Sequence, residues 1–204
     1  MNTAVFYDSE TTGLVDFKAP SESPHQPHIV QLAAVLVDLD NRRTISSMNV
    51  IIRPEGWTIP DDIVAIHGIT TEKALAVGIP EGLAVEMLFA LCSGRLRIGH
   101  NESFDARIIR IAQMRCPSFN EARMAEWKEG KAACTAQLSK PILNLGPTEA
   151  MKKTNFKVKT PNLGEAYRHF MGCDFENAHT AMADVKACIE VYFAIQDLQK
   201  EQAA

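Results

Sequence analysis

Residues 5–14 read VFYDSETTGL, in which an apolar run gives way to two carboxylates and then to a pair of threonines. The β-rich residues 3–7 predict a buried strand that ends at Asp8. Asp8 and Glu10 lie two positions apart, and side chains at i and i+2 leave the same face of a strand, so the two carboxylates converge. Two like charges at the edge of a core repel each other unless a cation lies between them. The stretch therefore predicts a divalent metal site, with a strand that frays into a solvated acidic loop as the alternative.

Outward from this stretch, the chain contains three β-rich segments in succession and then helices interleaved with further strands. The further strands are predicted at 29–37, 45–52, 96–98 and 132–135, and the first two of these are joined by the hairpin connection DLDNRR. Helices are predicted at 61–66, 71–77, 81–92, 103–115, 162–170 and 181–199. This order predicts an α/β fold in which helices flank a mixed sheet.

Length, charge and cysteine usage limit the class of protein. The 204 residues fit one large domain, 1–204, better than two small ones. The formal net charge of −4 argues against coating nucleic acid through the overall field, yet it allows an acidic pocket that binds cations. Five scattered cysteines without a close metal-binding pair favour a reducing compartment. Because we find neither a signal peptide nor an apolar run of about 20 residues, we expect a soluble cytoplasmic protein that does not enter a membrane.

Two aspartates interrupt the apolar faces of predicted helices. Asp105 lies in the first turn of its helix, after the candidate N-cap Asn101, and Asp184 lies about one turn inside the last helix. An ionised aspartate on a buried stripe is rare unless it is paired or binds a metal. For Asp105 alone, an interaction with the helix dipole is the alternative. The stripe that contains Asp105 also includes Ile109 and Ala112. The stripe that contains Asp184 also includes Ala181, Cys188, either Val191 or Tyr192, and Ile195.

His179 precedes Asp184 by five residues, a spacing that does not stack on a straight helix. We therefore place His179 just before the last helix. A lone histidine is usually structural or simply exposed. Beside four carboxylates, however, a histidine that takes a proton from water near neutral pH is the more economical interpretation, and it predicts a general base.

The four carboxylates offer only oxygen ligands, a set that suits Mg²⁺ or Mn²⁺ better than zinc. The other histidines show no zinc-type spacing. Two such ions about 4 Å apart activate water on one side of a phosphorus atom and stabilise the leaving oxygen on the other. The residues therefore predict an enzyme that cuts phosphodiesters with two divalent metal ions.

Four motifs in this order resemble the DEDDh branch of the DnaQ-like 3′–5′ exonucleases, in the RNase H-like superfamily. They are YDSETTGL, with Ser9 at the variable position, IPDDIVAIHGIT, GHNESFD and HTAMAD, and the resemblance spans roughly residues 5–195. The resemblance implies an RNase H-like fold with a five-stranded mixed sheet flanked by helices. It also implies hydrolysis from a 3′ end, which releases nucleoside 5′-monophosphates.

The same resemblance implies roles for particular residues. The two Mg²⁺ or Mn²⁺ ions would be held by Asp8, Glu10, Asp105 and Asp184, and the general base for the attacking water would be His179. Backbone and side chains around Thr11 and Thr12 would meet the terminal nucleotide. A wedge against the terminal base would be formed by Leu14, in a pocket that is also lined by His67, Asn101 and Phe104.

The substrate and partners are less constrained by these motifs. We expect the 3′ end of single-stranded DNA, with short RNA or an RNA 3′ end as the alternative, because the contacts to a 2′-OH that separate the two cannot be located in the sequence. A DNA polymerase partner with a proofreading role is a further alternative, although the chain ends soon after the last motif, which favours a stand-alone nuclease. The least favoured alternative is a non-catalytic module that binds nucleic acid.

The lysine-rich segment MKKTNFKVK (151–159) would guide a single strand, or it is only solvated.

Overall fold

A mixed five-stranded sheet forms the centre of the fold in the computed structural model, which describes residues 2–116, 120–153, 156–176 and 178–203. The strands are β1 (Thr3–Thr11), β2 (Ile29–Asp38), β3 (Arg43–Ile51), β4 (Leu96–Gly99) and β5 (Ala132–Cys134). They are arranged in the order β3-β2-β1-β4-β5. The pairs β1–β2 and β2–β3 are antiparallel, whereas β1–β4 and β4–β5 are parallel. The predicted mixed sheet and its hairpin are confirmed.

Helices cover both faces of this sheet. Those in the described residues are α1 (Asp61–His67), α2 (Thr71–Val77), α3 (Glu81–Cys92), α4 (Glu102–Arg115), α5 (Glu121–Glu129), α6 (Thr135–Leu143), α7 (Leu163–Met171) and α8 (Ala181–Ala203), together with a short 3-10 helix at Met151–Lys153. None of them combines the length and apolar composition that a membrane crossing requires.

The alternating side chains of β1 separate two cores. Ala4 and Phe6 pack with the buried face of α8, whereas Val5 and Tyr7 pack with α3 and α4 on the other side. Because β1 continues to Thr11, the period of two extends along the strand. This period places Asp8 and Glu10 on the side of the sheet that α8 covers, and Ser9 on the side that α4 covers.

Two helices, α5 and α6, are not predicted by the sequence pattern. α5 buries only Met124 and Trp127, and α6 carries Pro141, a residue that normally interrupts a helix. In α3, the apolar side chains Leu83 and Met87 point to solvent rather than to the core. The buried face of that helix consists of Ala84, Val85, Leu88, Phe89 and Cys92.

Candidate metal-binding site

Three of the four predicted carboxylates meet at one end of β1. One oxygen from each of Asp8, Glu10 and Asp184 lies within 4.8 Å of the others. Asp8 and Glu10 come from the strand, and Asp184 comes from the first turn of α8, which packs on the same face of the sheet. All three side chains are only partly exposed. Their donors are oxygens alone, so the cluster fits a hard divalent cation.

Burial and mutual repulsion disfavour the charged forms of these carboxylates. Burial raises the pKa of Asp8 well above its ordinary value, and the nearby charges of Asp105, Asp184 and Glu10 raise it further. Burial and the charge of Asp184 raise the pKa of Glu10 to about 7. Burial raises the pKa of Asp184 to about 6, although a hydrogen bond from the His179 backbone opposes the shift. A bound cation would relieve this cost, because opposite charge stabilises the ionised forms.

We expect the cation-free protein to lose stability as the pH rises. The pKa of Glu10 is raised from 4.5 to about 7 by folding, so the folded state binds more protons than the unfolded chain between these values, and stability falls across this interval. In the presence of EDTA, the thermal midpoint should therefore fall by about 5 °C or more between roughly pH 5 and pH 8. Excess Mn²⁺ should remove most of this fall. An equal fall with and without Mn²⁺ would contradict this account of the cluster.

Asp105 reaches the same end of β1 from the opposite face of the sheet. It is buried in the first turn of α4, and its Oδ1 accepts hydrogen bonds from the Ser9 backbone N–H (3.1 Å) and the Ser9 hydroxyl (2.6 Å). Burial raises the pKa of Asp105 to about 7, while the bonds from Ser9 act in the opposite direction. The carboxylate therefore lies close enough to raise the pKa of Asp8, but outside the group of three mutually close carboxylates.

His179 lies immediately before α8, as the spacing to Asp184 predicted. Its side chain is exposed, and its backbone N–H donates to Asp184 Oδ1 at 3.3 Å. The φ angle of His179 is 69°, in the left-handed region that side chains other than glycine adopt rarely. The hydrogen bond to Asp184 therefore helps to hold an unfavourable backbone conformation beside the carboxylate cluster.

The two threonines after Glu10 stabilise the loop that follows β1. The Thr11 hydroxyl donates to the Gly13 carbonyl at 2.7 Å, and the Thr12 hydroxyl accepts from the His28 backbone N–H at 2.9 Å. Leu14 then projects from this loop with 88% of its surface exposed. Gln26 holds the loop beyond Leu14 through its buried side chain. Its amide oxygen accepts from the Asp16 backbone N–H, and its amide nitrogen donates to the Asp16 carbonyl.

The other residues expected to line a nucleotide pocket lie in different settings. His67 is buried at the end of α1, where Nδ1 accepts from the Ile69 N–H and Nε2 has no hydrogen-bond partner among the described residues. Phe104 packs partly buried against the core. Asn101 occupies the N-cap position of α4, but the predicted capping by its side chain is wrong, because the residue is left-handed with φ of 69° and makes no cap hydrogen bond.

A buried ion pair that the sequence did not reveal supports the start of α4. Glu102 accepts from the Tyr7 hydroxyl at 2.9 Å and from Arg97 Nε at 2.8 Å. The Arg97 guanidinium also lies over the Trp127 ring, with its carbon 4.1 Å from the ring centroid. These contacts connect β1, β4 and α5 to the helix turn that carries Asp105. The charged residue Arg97 inside the β4 pattern is the only sequence signal for this network.

Comparisons with known proteins agree with the fold. The exonuclease family model named RNase_T matches residues 5–192. Exonuclease I of E. coli, in complex with a dT13 oligonucleotide, superimposes with a TM-score of 0.75 at 20% identity, covering 99% of this chain and 42% of that chain. The zinc-bound form of the E. coli ExoI–ssDNA complex gives 0.69 at 20% identity, covering 98% and 41%. Exonuclease I from Methylocaldum szegediense gives 0.69 at 22% identity, also covering 98% and 41%. Among curated proteins, no match to the sequence was found.

The structural relatives share the fold, and this chain spans about two fifths of their length. Their RNase H-like architecture confirms the predicted fold class. The family match extends over nearly the whole chain and includes all four carboxylates and His179. It confirms the prediction of a DnaQ-like exonuclease domain, a family that uses divalent metal ions. The chain belongs to the RNase_T exonuclease family.

Proposed function

We propose that the protein removes nucleotides from the 3′ end of single-stranded DNA and releases nucleoside 5′-monophosphates. The observation that carries the proposal is the convergence of three carboxylates within 4.8 Å at the end of β1, with His179 beside them. The DNA preference takes support from the exonuclease I relatives, which were solved with single-stranded DNA oligonucleotides. We further propose that residues 1–204 act as a single domain.

Two Mg²⁺ or Mn²⁺ ions complete the proposed site. Asp8, Glu10 and Asp184 would hold them together with Asp105, which approaches from the α4 side. The all-oxygen donor set favours these ions over zinc. When bound, a pair of divalent ions activates water and stabilises the leaving oxygen of a phosphodiester.

His179 is the proposed general base. Its side chain is exposed, and its charge acts on the Asp184 carboxylate, so the imidazole lies within electrostatic range of the cluster. An imidazole in this position can accept the proton of the attacking water and pass it to solvent. Since the base lies just outside α8 while Asp184 lies inside it, proton transfer and metal binding are assigned to neighbouring but separate groups.

The proposed contacts to the terminal nucleotide surround this cluster. Leu14 offers an exposed apolar surface that suits a wedge against a base. In His67, Nδ1 accepts a backbone N–H, so the ring proton is on Nε2, a buried donor with no hydrogen-bond partner among the described residues. Asn101 and Phe104 precede Asp105 by less than two turns, and Thr11 and Thr12 hold the loop that carries Leu14. We propose that the terminal nucleotide binds among these six residues.

The lysine-rich segment 151–159 is a proposed guide for the strand beyond the terminal nucleotide. Lys159 pairs with Glu165, and its N–H donates to the Leu145 carbonyl at 3.0 Å, which closes the base of a loop. Lys152 and Lys153 are exposed on this loop, whereas residues 154 and 155 lie outside the described residues. Cytoplasmic location is also proposed, because the five cysteines are scattered along the sequence without a close pair.

The experiment that tests the function compares 5′-labelled DNA and RNA oligonucleotides of the same sequence with Mg²⁺ or Mn²⁺. We expect a ladder of shortened 5′-labelled DNA products, nucleoside 5′-monophosphates in the supernatant, slower cleavage of RNA, and no cleavage in EDTA. Faster cleavage of RNA would favour the exoribonuclease alternative. Binding without cleavage of either polymer would favour the non-catalytic module. Activity that requires added DNA polymerase would favour a proofreading subunit.

Ser9 provides a separate test of the role of Asp105. We expect Ser9→Ala to weaken Mn²⁺ binding about tenfold, because residues that orient a metal ligand typically contribute this much to affinity. Ser9→Thr retains a hydroxyl and should bind Mn²⁺ nearly as the wild type does. Calorimetric titration of both variants measures the effect, with Ser103→Ala on the exposed side of α4 as the control. Unchanged affinity in Ser9→Ala would show that the Ser9 hydroxyl does not support a metal ligand.

A further inference from the structure

A buried glutamine connects the central sheet to the start of α8. Gln31 lies on β2 directly opposite Glu10 on β1, and its side chain is on the face that α8 covers. Its amide oxygen Oε1 accepts the Ala181 backbone N–H at 3.2 Å, and its amide nitrogen Nε2 donates to Asn49 Oδ1 at 2.9 Å. Ala181 is the first residue of α8. One side chain therefore joins β2, β3 and the beginning of the helix that carries Asp184.

The hydrogen-bonding groups around Gln31 determine which way its side-chain amide faces. A backbone N–H can only donate, so the atom of Gln31 that faces Ala181 must be the amide oxygen. The amide nitrogen then faces Asn49 and donates to its oxygen. Both ends of the Gln31 amide are satisfied, although the residue is only 8% exposed. A buried amide costs free energy unless it is paired, so this arrangement allows one orientation of the side chain.

The connection acts on a segment that is unfavourable by itself. His179, two residues before Ala181, has a left-handed backbone, which is unfavourable for a residue other than glycine. Such conformations persist where surrounding contacts determine them. Here the contacts include two hydrogen bonds from the backbone to side chains: the N–H of His179 to Asp184 Oδ1 and the N–H of Ala181 to Gln31 Oε1. The first bond stays within the segment, whereas the second attaches it to the sheet.

We propose that Gln31 is a positioning residue that keeps the His179 side chain at the carboxylate cluster. It acts by fixing the start of α8 against β2, on the same face and at the same level as Glu10. The proposal rests on the proposed role of His179 as the general base. Gln31 interrupts the otherwise apolar sequence IVQLAAVLV, in which packing alone would be met by another aliphatic residue. The polar side chain therefore has a function that packing does not supply.

The test replaces Gln31 by methionine, which has a similar length and shape but cannot hold the Ala181 N–H. We expect kcat on single-stranded DNA to fall about tenfold to a hundredfold, because a small misplacement of a catalytic group produces losses of this size. KM and the calorimetric affinity for Mn²⁺ should change less than about twofold, since the carboxylates remain. Gln199→Met, at an exposed position near the end of α8, is the matched control and should leave kcat unchanged.

A double-mutant cycle separates positioning from a general loss of structure. In the His179→Ala background, Gln31→Met should cause almost no further loss of kcat, because the group it positions is already absent. Equal losses in both backgrounds would overturn the proposal for Gln31 while leaving the exonuclease function intact. A His179→Ala variant as fast as the wild type would overturn both the general base and the inference that rests on it.

Hydrogen exchange of the wild-type protein keeps the proposal testable if Gln31→Met does not fold. The Ala181 amide has no partner within α8, since the first amides of a helix lack intrahelical acceptors. Slow exchange at this amide, as measured by NMR, is expected if Gln31 holds it. Exchange at the rate of an unprotected amide would overturn the proposal.

Discussion

Replacement of Asp8 by asparagine is expected to lower kcat about a thousandfold or more while the fold remains intact. Asp8 lies at the centre of the carboxylate cluster, where its pKa is raised by burial and by the charges of Asp105, Asp184 and Glu10. An amide keeps the shape of the side chain but provides a much weaker ligand for a divalent cation. If the metal ions stabilise the transition state by about 4 kcal/mol, the loss of this stabilisation corresponds to a thousandfold decrease in rate. Turnover on labelled single-stranded DNA measures the effect.

The same substitution is expected to raise the stability of the cation-free protein. When ionised, the buried Asp8 carboxylate repels Asp105, Asp184 and Glu10, and asparagine removes this repulsion. In EDTA the thermal midpoint of Asp8→Asn should therefore exceed that of the wild type, whereas stabilisation by Mn²⁺ should be smaller. Asp62→Asn, at an exposed position in α1, is the control and should change neither quantity. Wild-type turnover in Asp8→Asn would remove this residue from the proposed metal site.

Replacement of His179 by alanine is expected to lower kcat by about 10²–10⁴, the range that general-base catalysis contributes. The affinity for Mn²⁺ should remain nearly unchanged, because the proposed cation ligands are the carboxylates and the histidine lies outside the helix that carries Asp184. The substitution also removes a β-carbon substituent at a left-handed residue, so His179→Asn is a useful second variant that tolerates this backbone. Kinetics and calorimetric titration together test the two parts of the prediction.

The control for His179 is another exposed histidine, His169 on α7, whose replacement by alanine should leave kcat unchanged. A parallel loss of Mn²⁺ affinity and kcat in His179→Ala would indicate that the histidine supports the metal site instead of the proton transfer. Full activity in His179→Ala would exclude it as the base. The separation of kcat from metal affinity is therefore the decisive feature of this variant.

The positions of the carboxylates were predictable because they follow from local periodicity. A period of two in β1 gives Asp8 and Glu10 a common face, and helical spacing aligns Asp184 with the buried residues of α8. Asp105 likewise lies on the buried stripe of α4. In each case a charge on an apolar face marked the site, since burial of an unpaired charge is unfavourable. The resemblance to a family then added the functions of these residues.

The structure departs from the local sequence pattern at three places. Leu83 and Met87 form an apolar row on α3, yet the core contacts the neighbouring row of that helix, a choice that packing makes. α6 is helical although Pro141 removes an intrahelical hydrogen bond from its last turn. Asn101 does not cap α4 because the turn from β4 requires a left-handed residue there.

The amino-acid sequence by itself determined which residues are acidic, which faces carry them and in what order they occur, because side-chain direction within a strand or helix is a local property of the backbone. Only the tertiary structure decided which groups orient them. Ser9 meets Asp105 across 96 residues, and Gln31 meets Ala181 across 150. Such hydrogen bonds depend on how the sheet and helices pack in three dimensions, and no periodicity along the chain encodes them.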